Sequence, residues 1–531
     1  MSGSLHRLGA IIRADVLIRL RRPSTVFVFL LLSFIAYLWV PAPSTGRALM
    51  SINGHRVLYD SAAIGMATAA IGTLFIGMFG FYVISNALRR DVFSRCGYVI
   101  ASTTMRGGEY IVGKFAGNLA FLIVFTLGYM ITAMAMVIVR GEAPLQPLVF
   151  AKQYLLLLPP SLVFVSVIAI VFECTPLLRT KFGDVFYFFL WAALMGVVVG
   201  SVEAGFGGNW VQCFDVSGLG MLLQQTKTIY HTDSMSIGAS SFDATKTVMH
   251  YGGVVADARW VLPRIGATLW PLSLLLVARF FFHRFDPARV RAVANEKSSG
   301  GWIGRANLLA KPVARLFVRA GQFAGSLPGL PALVRSMLTD SLATIAAFPL
   351  AGVAIIGFAI AALSSNASGL FAGTLPIAFA GCAIALSDIA CREKRAGTSA
   401  LVFAAPSLRA NFVWWKFGST LLVAFAFLGV PLVRAIALRP SSAPALLLGV
   451  VFIAAAATTL GVVSSNPKTF IVGFLTFWYI VINDKGATPS LDFAGWFGKS
   501  TPPVLATYMT ITLAFLAAAH AFHRMELRRR W

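Results

Sequence analysis

Two pairs of neighbouring charges, Arg90-Asp91 and Arg392-Glu393, stand in matched places. Each follows a long apolar run, and 24 residues after each Arg a Lys-Phe, at Lys114-Phe115 and Lys416-Phe417, opens the next run. One offset of 302 carries Arg90 to Arg392 and Lys114 to Lys416 without a gap. An acid beside an Arg at the mouth of a helix lacks a nucleophile to activate, so its chemistry is charge recognition rather than catalysis. Anchoring helix ends at a membrane interface is the plainer role for such charges. Their repetition with Lys114 and Lys416 favours docking of a partner. The candidate residues are Arg90, Asp91, Arg95, Arg106, Glu109 and Lys114 in the first segment, and Arg392, Glu393, Lys394 and Lys416 in the second.

Other chemistry-bearing groups lead less far. Gly498-Lys499-Ser500 has the end of a phosphate-binding loop, but that loop needs a Gly five residues earlier and Phe493 stands there. No nucleotide site of the chain's own is expected. Glu203, Asp215, His231, Asp233, Asp243, His250 and Asp257 share one polar segment at 201–260 without HxH or HxxxH spacing. They read as a solvated face rather than a metal site. No catalytic residue, metal or cofactor is assigned to the chain.

The elements that must position these residues follow from composition. Of 531 residues, 58% are hydrophobic and 12% charged, against roughly 25% charged in soluble domains. The net charge of +24 would suit a nucleic-acid binder, but the Lys and Arg cluster beside apolar runs and leave the runs nearly clean, which is a membrane pattern. Cys96, Cys174, Cys213, Cys382 and Cys391 are scattered without a CxxC pair, so no disulfide framework is expected. The basic start before the run at 25–40 lacks a clear cleavage site, so an uncleaved first span is expected rather than a signal peptide.

Apolar runs near 24–40, 61–88, 115–138, 153–173, 183–201 and 260–282 make one set of six. Those near 344–363, 371–388, 419–437, 445–463, 468–482 and 503–521 make a second. Each must be helical, because backbone groups in hydrocarbon are satisfied only within their own segment. The run at 61–88 is longer than a bilayer core needs and is expected to project beyond it. Basic clusters before the first span, between the second and third, in the centre and at the end fall on one side if there are twelve spans. That side is the cytoplasm, with both termini inside. The halves also end alike, in Phe282-His283-Arg284 and Phe522-His523-Arg524. The expected architecture is all-α and polytopic, a parallel 6+6 repeat with a pathway between the halves. Residues 1–282 form the first half, with an extracytoplasmic insertion at 201–260. A basic linker covers 283–330, and the second half is 331–531. In the linker Lys311, Arg315 and Arg319 recur every four residues opposite Val313, Leu316 and Phe317, the pattern of an interfacial helix on anionic lipid. Apolar stripes at Leu5, Leu8, Ile12, Val16 and Leu20, and at Val334, Leu338, Leu342 and Ile345, precede the first and seventh spans.

The stretch ALRRDVFSRCGYVIASTTMRGGEYIVGKFAGNLAFLIV, with Met105 to Phe115 at its centre, resembles the region between the second and third helices of type-2 ABC-exporter permeases. The second copy, REKRAGTSALVFAAPSLRANFVWWKFGSTLL, is similar but carries Asn411 where the first has Glu109. The resemblance covers two windows of about 35 residues. It implies six helices per half, an amphipathic helix before each first span, and a cytoplasmic coupling helix docking on a separate ATPase. ATP and Mg would be bound by two copies of that partner. The chain would then be the membrane subunit of an exporter in a bacterial inner membrane, moving an amphipathic or apolar substrate outward. The 201–260 segment would gate release or meet an extracytoplasmic partner. A secondary transporter of the major-facilitator kind is the alternative, but it would carry a GxxxDRxGRR-like loop after its second span, and residues 89–114 have none. A membrane-embedded enzyme would need convergent His or acid residues within spans.

Overall fold

The computed structural model describes the chain except residues 1, 22–24, 26–28, 31, 32, 35, 38, 43, 44, 177, 204–208, 233, 234, 283–310, 348, 349 and 531. The chain divides into two compact units, Met1–Ala294 and Asn295–Trp531.

In the first unit, helix α1 (Ser2–Leu20) precedes the partly described run at 24–40, and strands β1 (Arg47–Ile52) and β2 (His55–Arg56) follow. Next come α2 (Ser61–Val92), α3 (Gly107–Arg140), the bent pair α4 (Pro147–Leu157) and α5 (Pro159–Cys174), and α6 (Lys181–Glu203). Helix α7 (Leu219–Tyr230), strand β3 (Met235–Ser241) and α8 (Ala258–Phe281) complete it. In the second unit, α9 (Lys311–Ser326) and α10 (Ala332–Ala347) precede α11 (Leu350–Ser364), α12 (Ala367–Leu386), α13 (Phe412–Leu438), α14 (Ala443–Ser464), α15 (Pro467–Asp484) and α16 (Pro502–Arg530).

Among the described residues, seven helices are long and apolar enough to cross a membrane, or nine if the bent pairs α4–α5 and α10–α11 each make one span. The chain is therefore a helical multi-pass membrane protein. The expected runs at 183–201 and 468–482 fall on α6 and α15; the run at 24–40 lies largely outside the described residues.

The structure adds to the expected helical architecture in three places. The first unit is not purely helical, because β2-β1-β3 form an antiparallel sheet with Arg47 opposite Ser241 and Ile52 opposite both Met235 and His55. The segment at 201–260 is tied into the first unit. Its strand pairs with β1, and the Met221 and Leu222 side chains of α7 are buried. Asp215, read as solvated, is buried as well; its carboxylate accepts from the Gly218 and Met221 backbone N–H groups at 2.7 and 3.0 Å and so holds the start of α7. The long second helix, finally, does not project unbroken. It widens into a π turn at Ile76–Gly80, where the Tyr187 hydroxyl donates to the Gly77 carbonyl. A Cβ on Gly77 would come within 2.6 Å of the Trp191 ring nitrogen, so only glycine lets the two helices approach. The helix then breaks at Ser85 and Asn86, whose φ of 73° is left-handed, and restarts at Ala87. The Glu173 carboxylate from α5 receives the Ala87 and Leu88 N–H groups of the restart at 2.9 and 2.7 Å.

Candidate functional site: a repeated buried ion quartet

Helix α1 lies along α3 with Asp15 and Arg19 buried beside Ile11 and Val16, while Leu17 and Ile18 stand outward. Small residues on α3 permit the approach. A Cβ on Gly117 would already lie 3.2 Å from that of Asp15. The buried Lys114 reaches Asp15 at 2.9 Å and Asp91 at 2.7 Å. Arg90 donates to the Asp15 carboxylate and passes 3.6 Å from Asp91. The Tyr110 hydroxyl donates to Asp91 at 2.7 Å. Two carboxylates and two cations thus close a neutral quartet that joins α1, the end of α2 and the start of α3.

The second unit repeats it. Lys416, 0% exposed, lies 3.1 Å from Asp340 of α10, donates to Glu393, and sits 4.0 Å above the Trp415 ring. Arg392 donates to the Asp340 carboxylate, to the Thr344 hydroxyl at 3.2 Å, and passes 3.9 Å from Glu393. Again the helix before the first described span, the end of the α12 region and the start of α13 meet on one neutral cluster.

A buried ion pair gains little net stability over an apolar pair, because desolvation offsets attraction. Removing a single member is costly, because it strands a charge. The quartets therefore specify geometry: each fixes the two ends of a short segment relative to the preceding helix. The sequence reading set Asp91 and Glu393 on projecting helix ends, framing a partner. The structure turns both inward and buries them, because the acids of α1 and α10 leave the cations two carboxylates each.

What remains outward is the middle of each segment. Short helices at Cys96–Ser102 and Ser399–Phe403 carry Val99 and Leu401, 67% and 77% exposed and again 302 apart. Arg95, with a left-handed backbone, and Arg106 are exposed beside the first tip. Glu109 closes the start of α3 by accepting the Arg106 backbone N–H at 3.1 Å and lies 3.7 Å from Arg7. Lys394 bridges to Glu526 of α16 at 2.5 Å and to the Val462 carbonyl at 3.1 Å. The matched aromatic residues at the exits of the last spans back both segments, Phe282 stacking on Tyr110 at 5.4 Å and Phe522 lying 5.5 Å from the Lys394 ammonium. His283 and Arg284 lie outside the described residues.

Sequence reasoning missed Asp15, Asp340 and Tyr110. A signal was present, since Asp15 and Asp340 are each the sole acid of their helix.

The remaining sequence features have local roles. The Asp492 carboxylate accepts from the Phe497 and Lys499 backbone N–H groups at 3.3 and 2.8 Å, so negative charge fills the Gly498-Lys499-Ser500 turn. Asp257 caps α8 through the Trp260 N–H at 2.9 Å, Asp243 holds the Thr245 turn, and His250 lies 3.0 Å from Asp60. Among the described residues no group of three or more His, Cys, Asp or Glu is placed to hold a metal ion; Asp233 lies outside them. No protein-family model, curated protein or solved structure matches the chain.

Proposed function

We propose that the chain is the membrane-spanning permease subunit of an ATP-driven exporter of the type-2 ABC kind, with two six-helix halves, twelve spans and both ends in the cytoplasm of a bacterial inner membrane. The observation that carries this reading is the repeated quartet, which holds two matched segments with an exposed apolar residue at each tip. Duplicated docking elements call for a duplicated partner, so the chain binds two copies of a separate ATPase that supplies ATP and Mg. In this reading the quartets (Arg90, Asp91 and Lys114; Arg392, Glu393 and Lys416) position the segments. Val99 and Leu401 enter the partner, with Arg95 and Arg106 at the rim of the first contact, because desolvated apolar anchors dominate such interfaces. The outer sheet and α7 of the first unit are where release, or an extracytoplasmic partner, acts.

The chain purified from its native membrane should carry two ATPase copies, and alone it should not hydrolyse ATP. Val99→Glu with Leu401→Glu should leave insertion normal and remove the partner. Hydrolysis by the isolated chain, or transport on an ion gradient without ATP, overturns the reading.

A further inference from the structure

Helix α9 carries Lys311, Arg315 and Arg319 and no acid. It runs antiparallel to α10: a Cβ on Gly321 would meet Leu342 at 3.6 Å, and one on Gly325 would meet Thr339 at 3.3 Å. Its small side, with Ala324 buried, is thus spent on α10. Left outward are Leu316 and Phe323, each 66% exposed, and the cations Arg315 and Arg319. Leu316 and Phe323 are two turns apart on one face, and the two Arg residues, one turn apart, line its edge. The sequence pattern set Phe317 opposite the cations for lipid, but Phe317 is half-buried and the apolar face adjoins the cations instead.

The direction of the hairpin follows from α11. That helix is apolar, with Val353, Ile356, Ile360 and Leu363 outward, as in a span facing lipid chains. Helix α10 is bent 92° from it. If α11 crosses the bilayer, α10 lies along the surface, and α9 lies along it too. An amphipathic helix in that plane buries its apolar face at the boundary of headgroups and chains while flanking cations meet phosphates. Near an anionic leaflet each cation contributes roughly fivefold in partitioning.

We propose that the α9–α10 hairpin anchors the second unit on anionic lipid headgroups of the bilayer the chain crosses, with Leu316 and Phe323 inserted and Arg315 and Arg319 on the phosphates. This holds whatever the chain transports and whatever drives it.

The test places a benzoylphenylalanine photocrosslinker at Phe323 of the full chain, reconstituted in vesicles of phosphatidylcholine and phosphatidylglycerol at a known ratio. The same group at the outward Val433 of α13 reports ordinary lipid contact and intact reconstitution. Adducts at position 323 should be enriched in phosphatidylglycerol at least about fivefold over bulk, and those at 433 should follow bulk. Arg315→Gln with Arg319→Gln should return position 323 to bulk while leaving 433 unchanged. Adducts at bulk ratio in the unsubstituted helix, adducts to protein, or none while 433 labels normally, would each overturn the proposal.

Discussion

In the first unit the helix ends remote from the quartet carry a three-stranded sheet and α7, and a buried Asp215 and Arg264 tie them to the spans; Arg264 donates to the Asp215 carbonyl at 2.5 Å. In the second unit the matching ends are joined by short turns around Asn366 and Pro440 and by the sheetless loop 485–501 around Asp492. At the quartet ends the order is reversed, and the units share Asp, Arg, acid and Lys on the same three kinds of element. Surface loops tolerate insertion because their backbone meets solvent. A buried charge does not tolerate loss of its counter-charge. The two units share the quartet and differ in the rest, as those two rules require.

Within the quartets the copies differ in what backs them. Asp91 keeps the Tyr110 hydroxyl as a second donor, whereas Glu393 has Lys416 close by and Arg392 only at 3.9 Å. Lys416→Met should therefore strand Glu393, with Asp340 left to Arg392, and cost ~3–5 kcal/mol. Lys114→Met should cost less by about the hydrogen bond that Tyr110 retains, ~1–2 kcal/mol. Denaturation of the purified chain, followed by the transition of each unit, measures both. Lys416→Met with Glu393→Met should recover most of the loss, because an apolar pair replaces the ion pair and leaves Arg392 with Asp340. A single Lys416→Met as stable as the parent, or Lys114→Met as the worse variant, would break the asymmetry.

The braces around the quartets differ more. The first segment is tied to α1 by Arg7, which donates to Thr104 at 3.0 Å and lies 3.7 Å from a partly exposed Glu109. The second is tied to α16 by the shorter and more buried Lys394–Glu526 bridge, and His523 contacts the Arg409 carbonyl at 2.9 Å. Glu526→Gln should raise amide exchange across 392–411 about tenfold, since a charged hydrogen bond of ~1.5 kcal/mol is lost. Arg7→Gln should change 94–106 by less than about twofold, as an exposed pair contributes little. Equal responses would mean that the braces are interchangeable and the quartets alone hold the tips.

The difference in braces also explains what could be read beforehand. The helical, multi-pass character was legible because lipid requires long apolar runs, and the matched segments were legible because Arg90 to Lys114 and Arg392 to Lys416 have the same length. Asp340 was not, because the offset of 302 carries Asp15 to Phe317; the first unit holds its sheet strands between the two quartet elements, and the second does not. The sheet itself escaped notice because β1 and β3 lie on opposite sides of four apolar runs, a pairing that no local period encodes. The exposure of Asp91 was misread for a related reason. The break at Asn86 depends on Glu173, which comes from another span, and the inward face of α1 sets Asp15 and Arg19 among the apolar Ile11 and Val16.

The sheet offers the smallest and most selective test of the comparison, because only the first unit has one. Arg56 of β2 donates both of its terminal nitrogens to Glu142, at 2.7 and 2.8 Å, just beyond the end of α3, and the Tyr59 N–H adds a bond at 3.1 Å. These bonds favour the charged carboxylate, the Arg56 bond most, and hold the Glu142 pKa below its ordinary 4.5. A carboxyl whose folded pKa is depressed contributes stability above the unfolded value of 4.5, and that contribution is lost as pH falls through the lower folded value. Since the pair is partly solvated, the contribution is about 0.5–1 kcal/mol. Amide exchange in 47–56, corrected for its intrinsic pH dependence, should hold steady from neutral pH down to the ordinary carboxylate range and quicken below it. Glu142→Gln should quicken it at neutral pH and flatten the acid limb. If 47–56 keeps its acid limb after Glu142→Gln, the sheet is held by some other acid and the Arg56–Glu142 pair is ornamental.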